Sequence, residues 1–370
     1  MRARLQSFVS GLAVLALTLG ATIAPAQAPA PAAAPFPMPL KDGSLRFMVM
    51  GDTGTGDRGQ YDTGREMAAI RQQFPYEFVV MVGDNMYGSD SAADYVKKFE
   101  TPYKALSDAG VKFYAALGNH DNPNQRSYGL FNMGGQRYYT FRASPGGLGK
   151  IAHGGVRFFA IDSNYLSKEQ IDWLSKELGS SGSDWKICFF HHPLYSSGRT
   201  HGSALETRAV LEPIFVKNGV NVVLTGHDHI YERIKPQQGI YHFVVGSGGS
   251  LRKGDLARTD LTVKGYDQDY VFMLAEITGD DFYFAAVTRA GQVVDSGVLA
   301  RPKAAAGPTP TPAPSVAPAP TPTPVPVPRP TPTPAASPLP SPSPTPKAGA
   351  APKSKAKARP KPKASLRKTG

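Results

Sequence analysis

Five strand-like apolar runs in this chain each end in polar side chains that can ligate a metal ion or transfer a proton. The polar residues at these ends are Asp52, Asp84 with Tyr87, Asn119 with His120, His191 with His192, and His227 with His229. A single end of this kind is often an ordinary turn. Five of them indicate a shared site, because open α/β folds bind ligands outside the carboxyl ends of their strands.

The spacing of apolar residues predicts one mixed α/β domain over residues 43–300. Helical patterns lie between several strand-like runs, at 62–73, 92–108, 168–178 and 203–217. Six further strand-like runs lie at 137–143, 156–162, 240–246, 270–277, 281–288 and 292–299. The first half alternates strand and helix, which favours parallel crossover units, whereas 240–299 is strand after strand, which favours antiparallel hairpins. The simplest arrangement of these strands is one domain with two sheets.

The two ends of the chain differ from this folded part. Residues 1–26 combine two arginines, an apolar stretch and the sequence Ala24-Pro25-Ala26, which predicts a cleaved signal peptide. An uncleaved N-terminal anchor is the alternative. The Ala/Pro-rich segment 27–42 is predicted to be flexible. Residues 301–370 hold 22 of the 35 prolines and predict a disordered tail. We therefore expect a secreted, periplasmic or envelope protein without a transmembrane helix in its mature form.

The net charge of +12 comes from the tail, which has 12 Lys and Arg and no acidic residue. Subtracting these 12 and the two in residues 1–26 from 41 leaves 27 basic against 29 acidic side chains, a net charge of −2. The folded part is therefore not a basic nucleic-acid-binding domain. The tail has no aromatic residue for base stacking, so specific nucleic-acid recognition is not expected. Its polycation could bind an anionic envelope or surface polymer, or only aid solubility.

The polar residues at the strand ends supply oxygen and nitrogen ligands without a thiolate. The one cysteine, Cys188, lies in an apolar run and is predicted to be a small buried hydrophobe. This ligand set suits iron, manganese or zinc and differs from a structural zinc cage. It is too large for one tetrahedral ion. It fits two ions about 3.5–4 Å apart that share a carboxylate.

Taken together, the five strand ends resemble the calcineurin-like metallophosphoesterases, and within them the purple acid phosphatases of the tartrate-resistant type. The matching blocks are D-x-G at 52–54, G-D-x-x-Y at 83–87, G-N-H-D at 118–121, H-x-P at 191–193 and G-H-x-H at 226–229. The resemblance implies a two-sheet β-sandwich flanked by helices (αββα), with mixed sheets and the active site at strand C-terminal ends. Other branches of the family have Asp-x-His in the first block and no tyrosine in the second. This chain has Gly54 and Tyr87 instead.

The resemblance also implies a ligand for each position. Metal 1, an Fe(III) ion, would be held by Asp52, Tyr87 and His229, with Asp84 bridging to metal 2. Metal 2, a divalent iron, zinc or manganese ion, would be held by Asp84, Asn119, His191 and His227. The H-x-P spacing favours His191 over His192 as the ligand.

Three further residues receive roles by the same resemblance. His120 would contact phosphate and protonate the leaving group, Asp121 would orient His120, and His201 would bind substrate. For His201 a surface-loop position is an open alternative. His153 and His242 belong to no block, and His242 is predicted to be structural because it alternates within a strand.

The function that the resemblance implies is hydrolysis of phosphate monoesters, an acid phosphatase reaction in which a metal-bound hydroxide attacks phosphorus in line. Small phosphate esters would be the substrates. One alternative is a phosphodiesterase or nucleotidase with the same metal centre. Another is an envelope-tethered binding protein whose metal site is vestigial.

Overall fold

Two mixed β-sheets form the centre of the fold. The structure is a computed structural model that describes residues 36–144, 147–148, 155–182 and 185–301. The predicted signal peptide, the tail beyond residue 301 and His153 lie outside the described residues. The strands are β1 (Leu45–Met50), β2 (Phe78–Met81), β3 (Lys112–Ala115), β4 (Tyr139–Ser144), β5 (Gly147–Leu148), β6 (Val156–Ala160), β7 (Trp185–Phe189), β8 (Val222–Thr225), β9 (Tyr231–Gln237), β10 (Ile240–Val245), β11 (Thr262–Tyr266), β12 (Val271–Thr278), β13 (Asp281–Thr288) and β14 (Val293–Ala300).

The helices are short and lie outside the two sheets. They are α1 (Arg58–Ile70), α2 (Ala92–Tyr95), α3 (Lys104–Asp108), α4 (Lys168–Gly179) and α5 (Leu205–Asn218), with a π-helical turn at Val96–Glu100 and 3₁₀ turns at Pro123–Ser127 and Gly129–Phe131. Among the residues that the structure describes, no helix is long and apolar enough to cross a membrane.

The first sheet has the order β14-β13-β12-β1-β2-β3, and the second has the order β11-β9-β10-β8-β7-β6-β4-β5. Strands β1, β2 and β3 are parallel, and so are β6, β7, β8 and β10. Strands β12, β13 and β14 form an antiparallel meander. The predicted division into parallel and antiparallel parts is confirmed for most strands, with two differences: β4 pairs antiparallel with β6, and β10 pairs in parallel with β8.

Alternation along the strands places apolar side chains on both faces of each sheet. In β1, Phe47 and Val49 face the second sheet and pack in the core between the sheets, whereas Met48 and Met50 face the opposite way, toward Met67 of α1. On the outer face of the second sheet, Cys188 is fully buried among side chains of α4 and α5, as predicted. Three apolar cores thus separate four layers, which is the αββα arrangement.

The predicted helix at 92–108 is broken in the structure. It consists of α2, the π-helical turn and α3, and Pro102 lies at the break before α3. Proline has no backbone N–H to donate and its ring clashes with the preceding turn, so a regular helix does not continue through it. Strands β9 and β11 were not predicted, because their sequences YERIKPQ and TVKGY have few apolar residues.

The packed part of the chain begins before the predicted boundary at residue 43. Met38 is buried beside the outer core of the first sheet. The backbone amides of Leu40 and Lys41 donate to the buried carboxylate of Glu276, at 3.0 and 2.6 Å. Residues 36–42 therefore pack on the folded domain, because their apolar side chains join the outer core and two of their amides are bonded to Glu276 of β12.

His242 lies in β10 and has no role at the strand ends. Its side chain is buried, and its Nε2 atom has no hydrogen-bond partner among the described residues. Burial lowers its pKa from 6.5 to about 3. The unfolded chain takes up a proton near pH 6.5 but the folded chain does so only near pH 3, so stability is lost as the pH falls through this window.

We expect the substitution His242→Leu to reduce this acid sensitivity. When the pH is lowered from 8 to 5, the unfolding free energy of the wild type should fall by about 2 kcal/mol because of the buried neutral His242. The loss is about 1.4 kcal/mol for each pH unit below 6.5. Urea unfolding at both pH values measures the difference. An equal loss in the variant would show that His242 does not cause it.

Candidate metal centre

The five predicted strand ends meet at one edge of the sandwich. Asp52 follows β1, and its backbone N–H donates to the Gly83 carbonyl after β2, at 2.9 Å. The two sheets are joined at this edge, because the His227 N–H after β8 donates to Asp52 Oδ2 at 3.0 Å. The His120 N–H after β3 donates to Asp84 Oδ1 at 3.0 Å. The carboxylates are thus held by backbone amides of other strand ends.

Three residues at this edge have left-handed backbone conformations that non-glycine residues rarely adopt. The φ angles are +55° at Asp52, +51° at Asp84 and +71° at His227. Such conformations cost about 1–3 kcal/mol each and persist where the surrounding structure enforces them, often at functional sites. Here they turn each side chain sharply out of its strand and into the common site.

Asp52, Tyr87 and His229, the residues predicted for metal 1, are in mutual contact. The Tyr87 hydroxyl lies 3.2 Å from Asp52 Oδ1 and 3.0 Å from His229 Nε2. His229 Nε2 lies 3.4 Å from Asp52 Oδ1. Ligand atoms of Asp52, Asp84 and His229 all lie within 4.8 Å of one another, a separation that one ion can bridge.

His191 is the centre of the group predicted for metal 2. Its Nε2 atom lies 2.9 Å from Asn119 Oδ1, 3.1 Å from His227 Nδ1 and 3.3 Å from Asp84 Oδ1. Its Nδ1 atom faces the Val82 carbonyl at 3.2 Å. A carbonyl accepts only, so Nδ1 carries the proton and Nε2 presents a lone pair to the site.

These contacts fit a bound cation. The lone pair of His191 Nε2 faces the Asn119 and Asp84 oxygens, which are acceptors too, and a cation among them would turn repulsion into ligation. Burial, then the charge of Asp84, raises the pKa of Asp52 well above its usual value. Burial and both carboxylates raise the pKa of Tyr87. A nearby cation reverses this preference and stabilises the carboxylates and the phenolate.

The centre has a buried floor and a more exposed rim. The floor consists of Asp52, Asp84, His191 and His229, all of them buried. The rim consists of Tyr87, Asn119, His120, His201 and His227. The carboxylates are therefore shielded from water, while the side chains of the rim are accessible.

His120 and His201 both lie on the rim, as their predicted roles require. The His120 ring packs against the Tyr87 ring with centroids 4.9 Å apart. The His201 ring lies 4.0 Å from the His227 ring, at an angle of 32°. His201 is thus an exposed residue that lies beside His227, and its role in binding substrate stays a prediction.

Asp121 contacts different groups from those expected. Its Oδ2 accepts hydrogen bonds from the Gly118 N–H, the Asn85 N–H and the Asn85 side chain, at 2.8–3.1 Å, and its Oδ1 accepts from the Met86 N–H at 2.9 Å. No hydrogen bond to the His120 ring is found among the described residues. Asp121 therefore holds the backbone beside Asp84 in place, and the prediction that it orients His120 is wrong.

His192 is beside the ligand group but has a separate partner. Its Nδ1 atom lies 2.8 Å from Ser163 Oγ, and its backbone N–H donates to the same oxygen at 3.1 Å. The preference for His191 over His192 as the ligand stays a prediction.

Several supporting residues were not identified from the sequence. The Lys98 amine donates to the carbonyls of Tyr87 and Ser89 at 2.8 and 2.6 Å, and pairs with Asp94 at 2.9 Å. Lys98 thereby fixes the loop that presents the Tyr87 phenol. A lysine in a helical pattern carries no signal of such a role, because its partners come from a different loop.

The 196–202 loop and the second nitrogen of His229 are held in a similar way. Asp228 accepts from the Ser196 hydroxyl at 2.5 Å and from the Gly202 N–H at 3.1 Å, which places the loop that carries His201. Ser250 Oγ lies 2.8 Å from His229 Nδ1. Asp228 occupies the x position of the G-H-x-H block, and this position could have indicated its supporting role. No motif in the sequence indicates such a role for Ser250.

Gly54 is required by a close approach of backbone. A Cβ atom at this position would lie 1.9 Å from the Asn85 carbonyl oxygen, and the Gly54 carbonyl accepts from the Tyr87 N–H at 2.9 Å. A histidine at position 54 does not fit this backbone. The glycine of the first block and the tyrosine of the second are therefore structurally linked.

A family model of calcineurin-like phosphoesterases matches residues 45–231, which include every strand end of the site. The chain belongs to the calcineurin-like phosphoesterase family. Similar proteins include purple acid phosphatase 17 of Arabidopsis thaliana, 26% identical over 295 residues that cover 70% of this chain and 86% of the relative. Tartrate-resistant acid phosphatase type 5 of Oryctolagus cuniculus is 25% identical over 253 residues, covering 58% and 77%. These relatives confirm the resemblance to purple acid phosphatases and identify a metal-dependent phosphatase.

Solved structures share the fold. GAP50, the anchor in the inner membrane complex of Plasmodium, superposes with a TM-score of 0.64 at 21% identity, covering 71% of this chain and 90% of GAP50. A purple acid phosphatase from yellow lupin seeds has a TM-score of 0.55 at 20% identity, covering 70% and 54%. The metallophosphoesterase-type sandwich predicted from the sequence is thus confirmed.

Proposed function

We propose that this phosphoesterase hydrolyses phosphate monoesters at a centre of two metal ions, as an acid phosphatase does. The observation that carries the proposal is the arrangement of acceptor atoms around His191 Nε2 and Asp84 Oδ1, which lie 3.3 Å apart. Asp52, Tyr87 and His229 would hold one ion, an Fe(III) ion. Asn119, His191 and His227 would hold a divalent iron, zinc or manganese ion, with Asp84 shared between the two.

When bound, the two ions would supply an activated water molecule and neutralise charge on the phosphate oxygens. The residues of the chain provide the rest. Asp52 and Asp84 are fixed by backbone amides, so their carboxylates need no rearrangement on binding. His120 stands on the exposed rim, where its imidazole can protonate the departing alcohol. His201, stacked on His227, is placed to donate a hydrogen bond to the phosphoryl oxygens.

The activity is tested on purified protein loaded with iron and with zinc or manganese. We expect turnover of 4-nitrophenyl phosphate to exceed turnover of bis(4-nitrophenyl) phosphate, with two metal ions per chain. Preference for the diester would support the phosphodiesterase alternative. Absence of turnover of either ester, together with loss of stoichiometric metal binding, would support a binding protein with a vestigial site, a role closer to that of GAP50, which is an anchor in a membrane complex.

The substitution Tyr87→Phe tests the Fe(III) ligand. We expect the wild-type iron-loaded protein to show a visible absorption band from a phenolate–iron pair, and we expect this band to vanish in the variant. Tyr61→Phe is the matched control, because that hydroxyl donates to the Lys97 carbonyl, away from the metal centre. A band that persists in Tyr87→Phe, or that is absent from wild-type protein containing iron, would remove Tyr87 from the ligand set.

Export of the protein is a further part of the proposal. It is supported by the signal-peptide pattern at 1–26. Binding of the basic tail to an anionic envelope polymer stays a prediction.

A further inference from the structure

The loop 248–252 after β10 wraps the half of the centre that would hold metal 1. The Gly249 N–H donates to the Asp52 carbonyl at 3.2 Å, and Ser250 Oγ contacts His229 Nδ1 at 2.8 Å. The Arg252 N–H donates to the His229 carbonyl at 3.2 Å. The loop is therefore fixed to two of the predicted metal ligands, and Arg252 follows directly from it.

The Arg252 guanidinium has a free donor, and its backbone belongs to the loop that contacts the centre. Its Nη1 atom is buried and has no hydrogen-bond partner among the described residues. Its positive charge acts on two imidazoles of the site, since Arg252 is the largest influence after burial that lowers the pKa of both His201 and His229. A buried donor without a partner costs about 1–3 kcal/mol, so the position favours an anionic ligand.

The nearest acidic side chains do not supply that partner. Asp228 accepts from Ser196, Gly202 and His201. Asp255 accepts from the Thr200 hydroxyl at 2.6 Å, and its other oxygen is buried and does not reach hydrogen-bonding distance of Arg252. A structural pair between Arg252 and Asp255 is the competing explanation for the arginine.

We propose that Arg252 is a specificity residue that binds a second anionic group, a phosphate or a carboxylate, carried by the leaving part of the substrate. Arg252 is joined to His229 through its backbone N–H, whereas the reacting phosphoryl group belongs over the carboxylates of the floor. Its planar fork matches two oxygens of a phosphate or carboxylate at once. The proposal rests on the proposed phosphatase function and names its substrate class.

The experiment compares the metal-loaded wild type with Arg252→Gln and Arg252→Lys on three substrates: phenyl phosphate, 3-carboxyphenyl phosphate and pyrophosphate. We expect Arg252→Gln to lower kcat/KM for one or both doubly anionic substrates by about ten- to a hundredfold, the effect of a charge-assisted hydrogen bond. Phenyl phosphate should change by about twofold or less. Loss only on pyrophosphate identifies a phosphate subsite, and loss only on the carboxyl ester identifies a carboxylate subsite.

Arg252→Lys should recover part of the loss, because it restores the charge without the fork. Lys253→Gln is the matched control, since Lys253 is the neighbouring residue and is exposed. Its replacement removes the same single positive charge from this part of the protein. A loss in Lys253→Gln equal to that in Arg252→Gln would overturn the proposal. An equal loss on phenyl phosphate would overturn it as well, because Arg252 would then contact the reacting phosphoryl group.

Calorimetric binding of methylenediphosphonate and of methylphosphonate gives a readout besides activity. We expect Arg252→Gln to weaken only the diphosphonate. If the wild type binds both phosphonates but hydrolyses none of the esters, the proposed function fails while the Arg252 site is still tested. A lowered melting temperature with unchanged binding and turnover would show that Arg252 serves a structural pair with Asp255 and would overturn the proposal.

Discussion

Replacing Asp84 by alanine is expected to remove both metal ions and the phosphatase activity. The Asp84 carboxylate lies 3.3 Å from His191 Nε2 on one side and shares a cluster within 4.8 Å with Asp52 and His229 on the other. Loss of an outer partner of a metal site costs about 10–100-fold in metal affinity or activity. Loss of a residue shared by both ions should exceed that range. Metal analysis and 4-nitrophenyl phosphate turnover measure both effects.

In the metal-free protein, Asp84→Ala is expected to affect the melting temperature differently from its effect in the metal-loaded protein. Burial and the Asp84 charge together raise the pKa of Asp52, so the two carboxylates destabilise each other without metal. Asp84→Ala should therefore melt no lower than wild type after chelation, while losing the stabilisation that added metal confers. The control Asp108→Ala removes an exposed carboxylate on α3 and should keep full metal content. Full metal content in Asp84→Ala would contradict the shared position of Asp84.

The substitution Gly54→Ala is expected to disrupt both the fold of the site and its metal binding. The added Cβ would lie 1.9 Å from the Asn85 oxygen and 2.5 Å from the Met86 Cα, and both are backbone atoms. Backbone on both sides cannot move without displacing Asp84 and Tyr87. We expect a loss of about 3 kcal/mol of unfolding free energy or more, at the upper end for overpacking.

Chemical unfolding and metal content test Gly54→Ala. The matched control is Gly129→Ala, because a Cβ at that position has no atom within 4 Å and its φ lies outside the left-handed region. The control should stay close to wild type in both measurements. If Gly54→Ala kept the stability and metal content of the wild type, the loop at Asn85 would move easily. The structural link between Gly54 and Tyr87 would then be contradicted.

The strand ends could be predicted because their chemistry is local. Each apolar run that ends in a ligand residue is visible along the chain, and parallel strands bring such ends to one edge without further information. Cys188 was predicted to be buried because it lies in an apolar run, and His242 was predicted to be structural because it alternates within a strand; both side chains are buried. The role of Asp121 was predicted wrongly because its contacts are not local. Its carboxylate is adjacent in sequence to His120 but reaches across to the backbone of Asn85 and Met86.

The sequence by itself determined the fold class and the membership of the phosphoesterase family, and it brought forward the candidate metal ligands, because apolar periodicity and polar strand ends repeat at short range. Only the tertiary structure decided which side chains support those ligands. Lys98 contacts the Tyr87 loop from outside that loop, and Asp228 and Arg252 contact Gly202 and His229, which lie more than twenty residues earlier in the chain. Such contacts depend on how two sheets and their loops are packed against each other, and no local pattern of residues encodes that packing.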